Sequence, residues 1–285
     1  VGREFANNGA DMLGVACLVS GIYFFWDTLS RWRDRKQWQT KKILLLNASF
    51  FGMTLWLLSQ ANSATSQTCL AFGCFVVAAA QSKFFRKHST TFRIAVPLVF
   101  LTYLILEMGF NITSQFAGAM GRDPTLTDRT KIWDTVLNVP TNLLFGAGYE
   151  SFWLGDRLLK VWEVFPGINE CHNGYLELYK NLGFIGLGLA LVFLIASYLN
   201  ICRQQNTVAE LPRLSMALWA MFLFFNVTEA GFRSGVMWLT LLITIISVKK
   251  WQAEQLEVEP EFNVVESETA ELDASLRRTD CNLGA

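Results

Sequence analysis

Arg129 and His172 are the residues of this chain best suited to chemistry, one as a fixed positive charge and the other as a proton carrier. An arginine fork donates paired hydrogen bonds and keeps its charge. A histidine with an ordinary pKa of about 6.5 accepts and returns protons near neutrality. Both lie in one polar stretch with Trp133, Gly146, Gly148 and the run His172-Asn173-Gly174-Tyr175-Leu176-Glu177. That stretch, from about Asn111 to Leu182, is roughly seventy residues long, where connections are ordinarily about 4–6. A loop of that size is expected to be the working part of the molecule. Taken singly, each residue also fits a plainer role: a loop histidine as a surface or capping residue, an arginine as a contact to phospholipid.

The elements that position this loop are apolar. The chain has 285 residues, 52% of them hydrophobic, and its mean hydropathy is positive. The apolar residues come in blocks of about 17–20, enough to cross a hydrocarbon core of about 30 Å. Backbone in lipid must satisfy its own hydrogen bonds, so the blocks are read as helices. Seven spans are expected: Met12–Leu29, Ile43–Gln60, Gln67–Ser82, Ile94–Phe110, Gly183–Ile201, Leu214–Val227 and Gly235–Val248. The predicted fold is an all-α, polytopic transmembrane helical bundle with one large periplasmic loop, 111–182, containing short helices. The membrane domain is set at residues 1–252. Residues 253–285, rich in glutamate and poor in aromatics, are expected to be a disordered acidic cytoplasmic tail.

Charge orients the bundle. The short loops after spans one, three, five and seven carry the excess of lysine and arginine, and the alternate loops carry little. The positive-inside rule then puts the long loop, the Asn62–Ser66 turn and the Glu229–Ser234 turn together on the outer face. Basic residues so distributed belong to a membrane protein, and no nucleic-acid partner is expected. The chain opens on Val1 with no signal-peptide pattern, so it is expected to be a C-terminal portion with earlier spans missing.

Within the loop, Thr127 or Asp128 is a candidate cap for a helix through Ile132, Trp133 and Val136 that stops near Pro140. Arg129 and Trp133, four apart, share a face of it. Gly146-Ala147-Gly148 reads as a tight turn. A second helix is expected over His172–Leu182, with His172, Tyr175 and Tyr179 on one stripe. Cys171 beside His172 is poorly placed as a nucleophile, because helical neighbours point about 100° apart. No metal is expected: His88 lies at the other membrane face, and Asp123 and Asp128 alone are a weak ligand set.

Taken in order, four motifs resemble the O-antigen ligase and O-antigen polymerase superfamily. They are Asp128-Arg129-Thr130 with Trp133; Pro140 followed by Leu144-Phe145-Gly146-Ala147-Gly148-Tyr149-Glu150-Ser151-Phe152; His172-Asn173-Gly174-Tyr175-Leu176-Glu177; and Gly183-Phe184-Ile185-Gly186. The resemblance covers about Arg129–Leu191. It implies a multi-pass glycosyltransferase of the bacterial inner membrane, working on the periplasmic side without metal or cofactor. It implies a polyprenyl-diphosphate-linked glycan as donor and lipid A core or another glycan as acceptor. Residue by residue, His172 matches the family's essential histidine and Arg129 an arginine associated with the donor diphosphate. Many members carry a further Ser-Arg pair where this chain reads Asn62-Ser63-Ala64-Thr65-Ser66-Gln67-Thr68. Either Arg122 or Arg233 is expected to supply that charge, or the chain belongs to a divergent subgroup. The substrate-binding set expected around the pair is Arg122, Arg233, Glu229, Trp133, Asn173 and Tyr175.

The expected chemistry is inverting transfer, with Arg129 stabilising the leaving diphosphate and His172 removing the acceptor proton. Glu229, at the outer end of span six, is expected to hold one of the arginines or orient His172; a solvated helix end is the alternative. A polymerase of the same superfamily and a polar-lipid transporter or flippase are the competing functions. Transporters place ionisable groups near the bilayer midplane, whereas these lie in a loop.

Overall fold

The computed structural model describes residues 2–61, 64–110, 126–204, 211–233, 235 and 237–242. Among them the structure is helical, with no β-strand beyond one isolated bridge between Asn142 and Gly146. Among the described residues the named α-helices run in order: α1 (Gly2–Arg31), α2 (Trp38–Ala61), α3 (Ala64–Gln81), α4 (Lys83–Lys87), α5 (Ser89–Phe110), α6 (Leu126–Asn138), α7 (Asp156–Trp162), α8 (Gly174–Gln204) and α9 (Leu211–Thr228). Among the described residues five segments are long and apolar enough to cross a membrane: Leu13–Arg31, Trp38–Gln60, Thr90–Glu107, Gly174–Arg203 and Leu211–Thr228. The expected third span is a shorter apolar helix, Thr65–Gln81. Of the expected seventh, residues 237–242 are helical and 243–248 lie outside the described residues, as do Arg122 and the 253–285 tail.

α9 is the axis of the bundle. It packs against α3, α8, α1 and α5, and nearly every residue from Leu214 to Val227 is buried. The buried core joins Leu18 and Ile22 of α1, Val77 of α3, and Met216, Met221 and Phe222 of α9. The outward faces of α2, α5 and α8 expose Leu45, Trp56, Leu101, Ile105, Leu189 and Val192, the pattern of helices that meet lipid.

The stretch between α5 and the membrane part of α8 has a core of its own. Ile132, Val136 and Val139, from α6 and the residue just past it, pack with Phe152, Trp153, Val161 and Cys171. α6 begins at Leu126, so Thr127 and Asp128 stand inside its first turn rather than capping it. Its far end is tied down by Lys180, whose Nζ donates to the carbonyls of Val139 (2.7 Å) and Leu137 (3.4 Å). A lysine on helix-terminal carbonyls satisfies acceptors the helix leaves open.

α8 holds a break that the rest of the loop repairs. Gly183 has φ 64° and ψ −162°, which interrupts the helical ladder. Phe184 and Ile185 therefore donate to Leu143 O (2.9 Å) and Leu144 O (3.1 Å) instead of to the carbonyls four residues back. Those carbonyls, of Lys180 and Asn181, accept from Ala147 N (2.9 Å) and Gly148 N (2.8 Å). The turn around Gly146 thus replaces two helical hydrogen bonds by four tertiary ones. A β-carbon at Gly146 would run into the Asn181 backbone, and one at Gly183 into the Leu144 carbonyl. The tight turn read from Gly146-Ala147-Gly148 is this docking element.

Candidate functional site

At one end of the bundle, four distant segments meet on one carboxylate. Glu229, just past α9, accepts through Oε1 from Thr65 Oγ1 (2.9 Å) and Arg129 Nη2 (3.1 Å). Its Oε2 lies 3.4 Å from His172 Nδ1. Arg129 also donates through Nη1 to the Thr228 carbonyl. The outer turns and the long loop that charge placed on one side of the membrane therefore contribute to a single cluster. The turn read as Asn62–Ser66 differs in form: Ala64, Thr65 and Ser66 already belong to α3.

His172 does not begin a helix. Its φ is 47°, in the left-handed region that non-glycine residues seldom occupy, and α8 starts at Gly174. The expected His172–Tyr175–Tyr179 stripe is therefore not formed. Asn173 caps α8, its Oδ1 accepting from Leu176 N at 3.0 Å. Tyr175 points into the bundle and donates to the Leu223 carbonyl (3.1 Å), bracing α8 against α9.

The peptide before His172 is clamped from both sides. Trp133 Nε1 donates to the Cys171 carbonyl (2.9 Å), and Cys171 N donates to Glu177 Oε2 (2.9 Å). Glu177, 1% exposed, also accepts from Trp153 Nε1 (2.6 Å) and Asn181 Nδ2 (3.0 Å) through Oε1. A buried carboxylate is tolerated when its oxygens are filled in this way. The clamp holds a strained backbone that carries the half-buried His172 ring.

The ring sits between two carboxylates. Nδ1 is 3.0 Å from Glu170 Oε1 as well as 3.4 Å from Glu229 Oε2. Ionised carboxylates only accept, so Nδ1 carries the proton and Nε2 is the nitrogen left to exchange one. Burial works against the charged ring, but the hydrogen bonds and charges of Glu170 and Glu229 outweigh it and raise the pKa from 6.5 to about 9. Burial likewise favours a neutral Glu229, yet His172, Arg129 and Thr65 hold its carboxyl below its ordinary value. Burial pushes the Cys171 thiol well above its usual range, and its sulfur is fully buried, so it is no nucleophile for His172 to activate.

Arg233 stands in a neighbouring pair. Its Nη2 lies 3.0 Å from Glu150 Oε2 and its Nη1 donates to the Asn169 carbonyl (2.9 Å). Burial opposes its charge, while Glu177, Glu150 and Glu170 stabilise it and raise its pKa further. Of the residues expected at the site, the structure joins Arg129, His172 and Glu229 directly, sets Trp133 behind His172, and places Arg233 one residue pair away. Thr65, Glu150, Glu170 and Glu177 were not singled out. Glu150 and Glu177 lie inside the quoted motifs, and Glu170 two residues before His172, so adjacency was their only signal.

Glu170, His172 and Glu229 also offer ligand atoms all within 4.8 Å of one another, a spacing that suits a metal ion. The Arg129 guanidinium already brings positive charge to the same Glu229 carboxylate. A cation there would compete with it.

A family model described as O-antigen ligase matches residues 47–191. The exopolysaccharide production protein ExoQ of Rhizobium meliloti (strain 1021) is 32% identical over 89 residues, covering 28% of this chain and 20% of the relative. The match thus spans about a fifth of that relative's length. No solved structure matches.

Proposed function

Because the chain belongs to the O-antigen ligase family, we propose that it is a glycosyltransferase moving a glycan from a polyprenyl diphosphate to a sugar hydroxyl in surface-polysaccharide synthesis. The observation that supports this reading best is the single Glu229 carboxylate shared by Arg129 and His172. The cation for a leaving diphosphate and the base for an attacking hydroxyl are thereby set on neighbouring points of one scaffold. The acceptor oxygen attacks the anomeric carbon while its proton passes to His172 Nε2. The bond from that carbon to the diphosphate oxygen breaks, and the electron pair leaves with the polyprenyl diphosphate. Attack opposite the leaving group inverts the anomeric centre. Arg129 faces the charge that grows on the diphosphate, and Glu170 and Glu229 receive the imidazolium that forms.

In this reading the protein is a multi-pass protein of a bacterial inner membrane with the Glu229 cluster on the periplasmic side, where basic loops on the opposite face would place it. The proposed reaction needs no metal. The name of ExoQ favours a second reading within the same chemistry, in which the acceptor is another glycan and the product a longer exopolysaccharide.

The test is transfer of a labelled glycan from a polyprenyl diphosphate by the full-length protein in liposomes, with a lipid A core acceptor and a glycan acceptor offered separately. His172→Ala should lower the rate by about 10²–10⁴-fold with protein abundance unchanged. Undiminished transfer by that variant removes His172 from the mechanism. Movement of the lipid-linked glycan across the bilayer without transfer would instead favour a flippase.

A further inference from the structure

The tip of the docking turn presents an apolar surface that the site does not use. Leu143, Leu144 and Phe145 are consecutive and 63%, 55% and 65% exposed. Phe184 and Ile185, to which this turn is hydrogen-bonded, are 55% and 44% exposed. The patch continues down α8 through exposed Leu189, Leu191 and Val192, on a segment apolar enough to cross a membrane. No charged residue stands between Asp134 and Glu150, nor between Lys180 and Arg203. For a loop outside the spans this is an unusual run, because exposed connections ordinarily carry charge.

The backbone of the turn points the same way. Asn142 Oδ1 accepts from both Leu144 N (2.9 Å) and Phe145 N (3.0 Å), and Asn142 O accepts from Gly146 N (2.7 Å). The carbonyls of Leu143 and Leu144 accept from Phe184 and Ile185. Non-helical backbone is costly in hydrocarbon because its polar groups find no water. Here one asparagine and the break in α8 satisfy five of the polar groups around three exposed apolar side chains.

We propose that the turn from Asn142 to Gly146 is a membrane-inserted wedge, with Leu143, Leu144 and Phe145 among lipid acyl chains beside Phe184 and Ile185. The occupant is bilayer hydrocarbon, because the patch is continuous with the lipid-facing side of α8. The wedge fixes the depth of the site. From Gly174 to Leu182, α8 rises about 13 Å at about 1.5 Å per residue. His172 is then held about that far from the wedge, in the headgroup layer, where a soluble sugar and a lipid-borne phosphate can both arrive. The inference is independent of which reaction the site performs.

The test uses the full-length protein in liposomes, with an environment-sensitive fluorophore on Phe145→Cys and, as a water-facing control, on exposed Glu163→Cys. The described native cysteines are buried or half-buried, and unmutated protein reports any labelling of them. The probe at 145 should be quenched by spin-labelled lipids and should be severalfold less sensitive to aqueous iodide than the probe at 163. Quenching by iodide at both positions alike overturns the proposal, as does shielding from both quenchers, which would put protein over the patch. A probe on Leu143→Cys repeats the measurement if Phe145→Cys does not accumulate.

Discussion

Glu229 Oε2 lies 3.4 Å from His172 Nδ1, although 57 residues separate them and neither belongs to a membrane helix. The same carboxylate takes Arg129 on its other oxygen. Glu229→Gln keeps the shape and removes the charge that both partners face. Losing a hydrogen bond to a charged group is worth about 1.5–3 kcal/mol. At about 1.36 kcal/mol per decade, transfer should fall roughly 10- to 100-fold while abundance holds. Unchanged transfer would leave Glu229 a structural partner of Arg129 and Thr65 with no part in the reaction.

The pH profile follows from the same pair of carboxylates. His172 is raised to about 9, so its neutral, proton-accepting form accumulates as pH rises through that value. If His172 is the base, kcat/KM should climb from neutrality and level off above about 9, and Glu170→Gln should move the inflection downward. A rate that falls over this range assigns the imidazolium to the diphosphate instead. The linked stability has the opposite sense for the two partners. The contribution of His172 is complete below its ordinary 6.5 and is lost as pH rises through about 9. That of Glu229, whose pKa is lowered, is present above its ordinary 4.5 and is lost as pH falls through the depressed value.

The clamp on Cys171 makes Trp133 and Glu177 positioning residues for His172. Trp133→Phe removes the N–H that reaches the Cys171 carbonyl but keeps a ring in place. Its kcat should drop with KM little changed, because the misplaced group would be the proposed proton acceptor. Glu177→Gln preserves one acceptor oxygen and should retain more activity than Glu177→Ala. Loss of folded protein in both Glu177 variants, with normal kcat for Trp133→Phe, would reduce the clamp to a folding element.

Gly146→Ala and Gly183→Ala should each destabilise the protein, read as a lowered thermal midpoint in detergent. Left-handed backbone costs an L-residue about 1–2 kcal/mol, and both new methyl groups would strike backbone across the joint. Gly188→Ala is the control: its β-carbon meets nothing within 4 Å, and it lies within α8. Equal midpoints for all three variants would dissociate the turn from the break in α8.

Chelators should leave transfer unchanged if the proposed metal-free route is right. A rate abolished by chelation and restored by a divalent cation would point to Glu170, His172 and Glu229 as its ligands.

The apolar blocks alone determined the helical bundle, because a backbone in hydrocarbon has few ways to satisfy its hydrogen bonds. The alternation of basic loops by itself put the Asn62–Ser66 turn, the long loop and Glu229 at one end of the bundle. The motifs named the O-antigen ligase family and drew attention to Arg129 and His172. Pairing was beyond that reach. Glu229 was open to three arginines, and the helix packing delivered Arg129 to it while giving Arg233 to Glu150. Such choices depend on where α6, α9 and the 149–151 turn lie, across about 80–100 residues of sequence. The left-handed turn at His172 was hidden for the same kind of reason. A helical spacing through Tyr175 and Tyr179 looked continuous, and only the Asn173 cap, the Trp133 and Glu177 clamp and the start of α8 at Gly174 show where the helix gives way to the site.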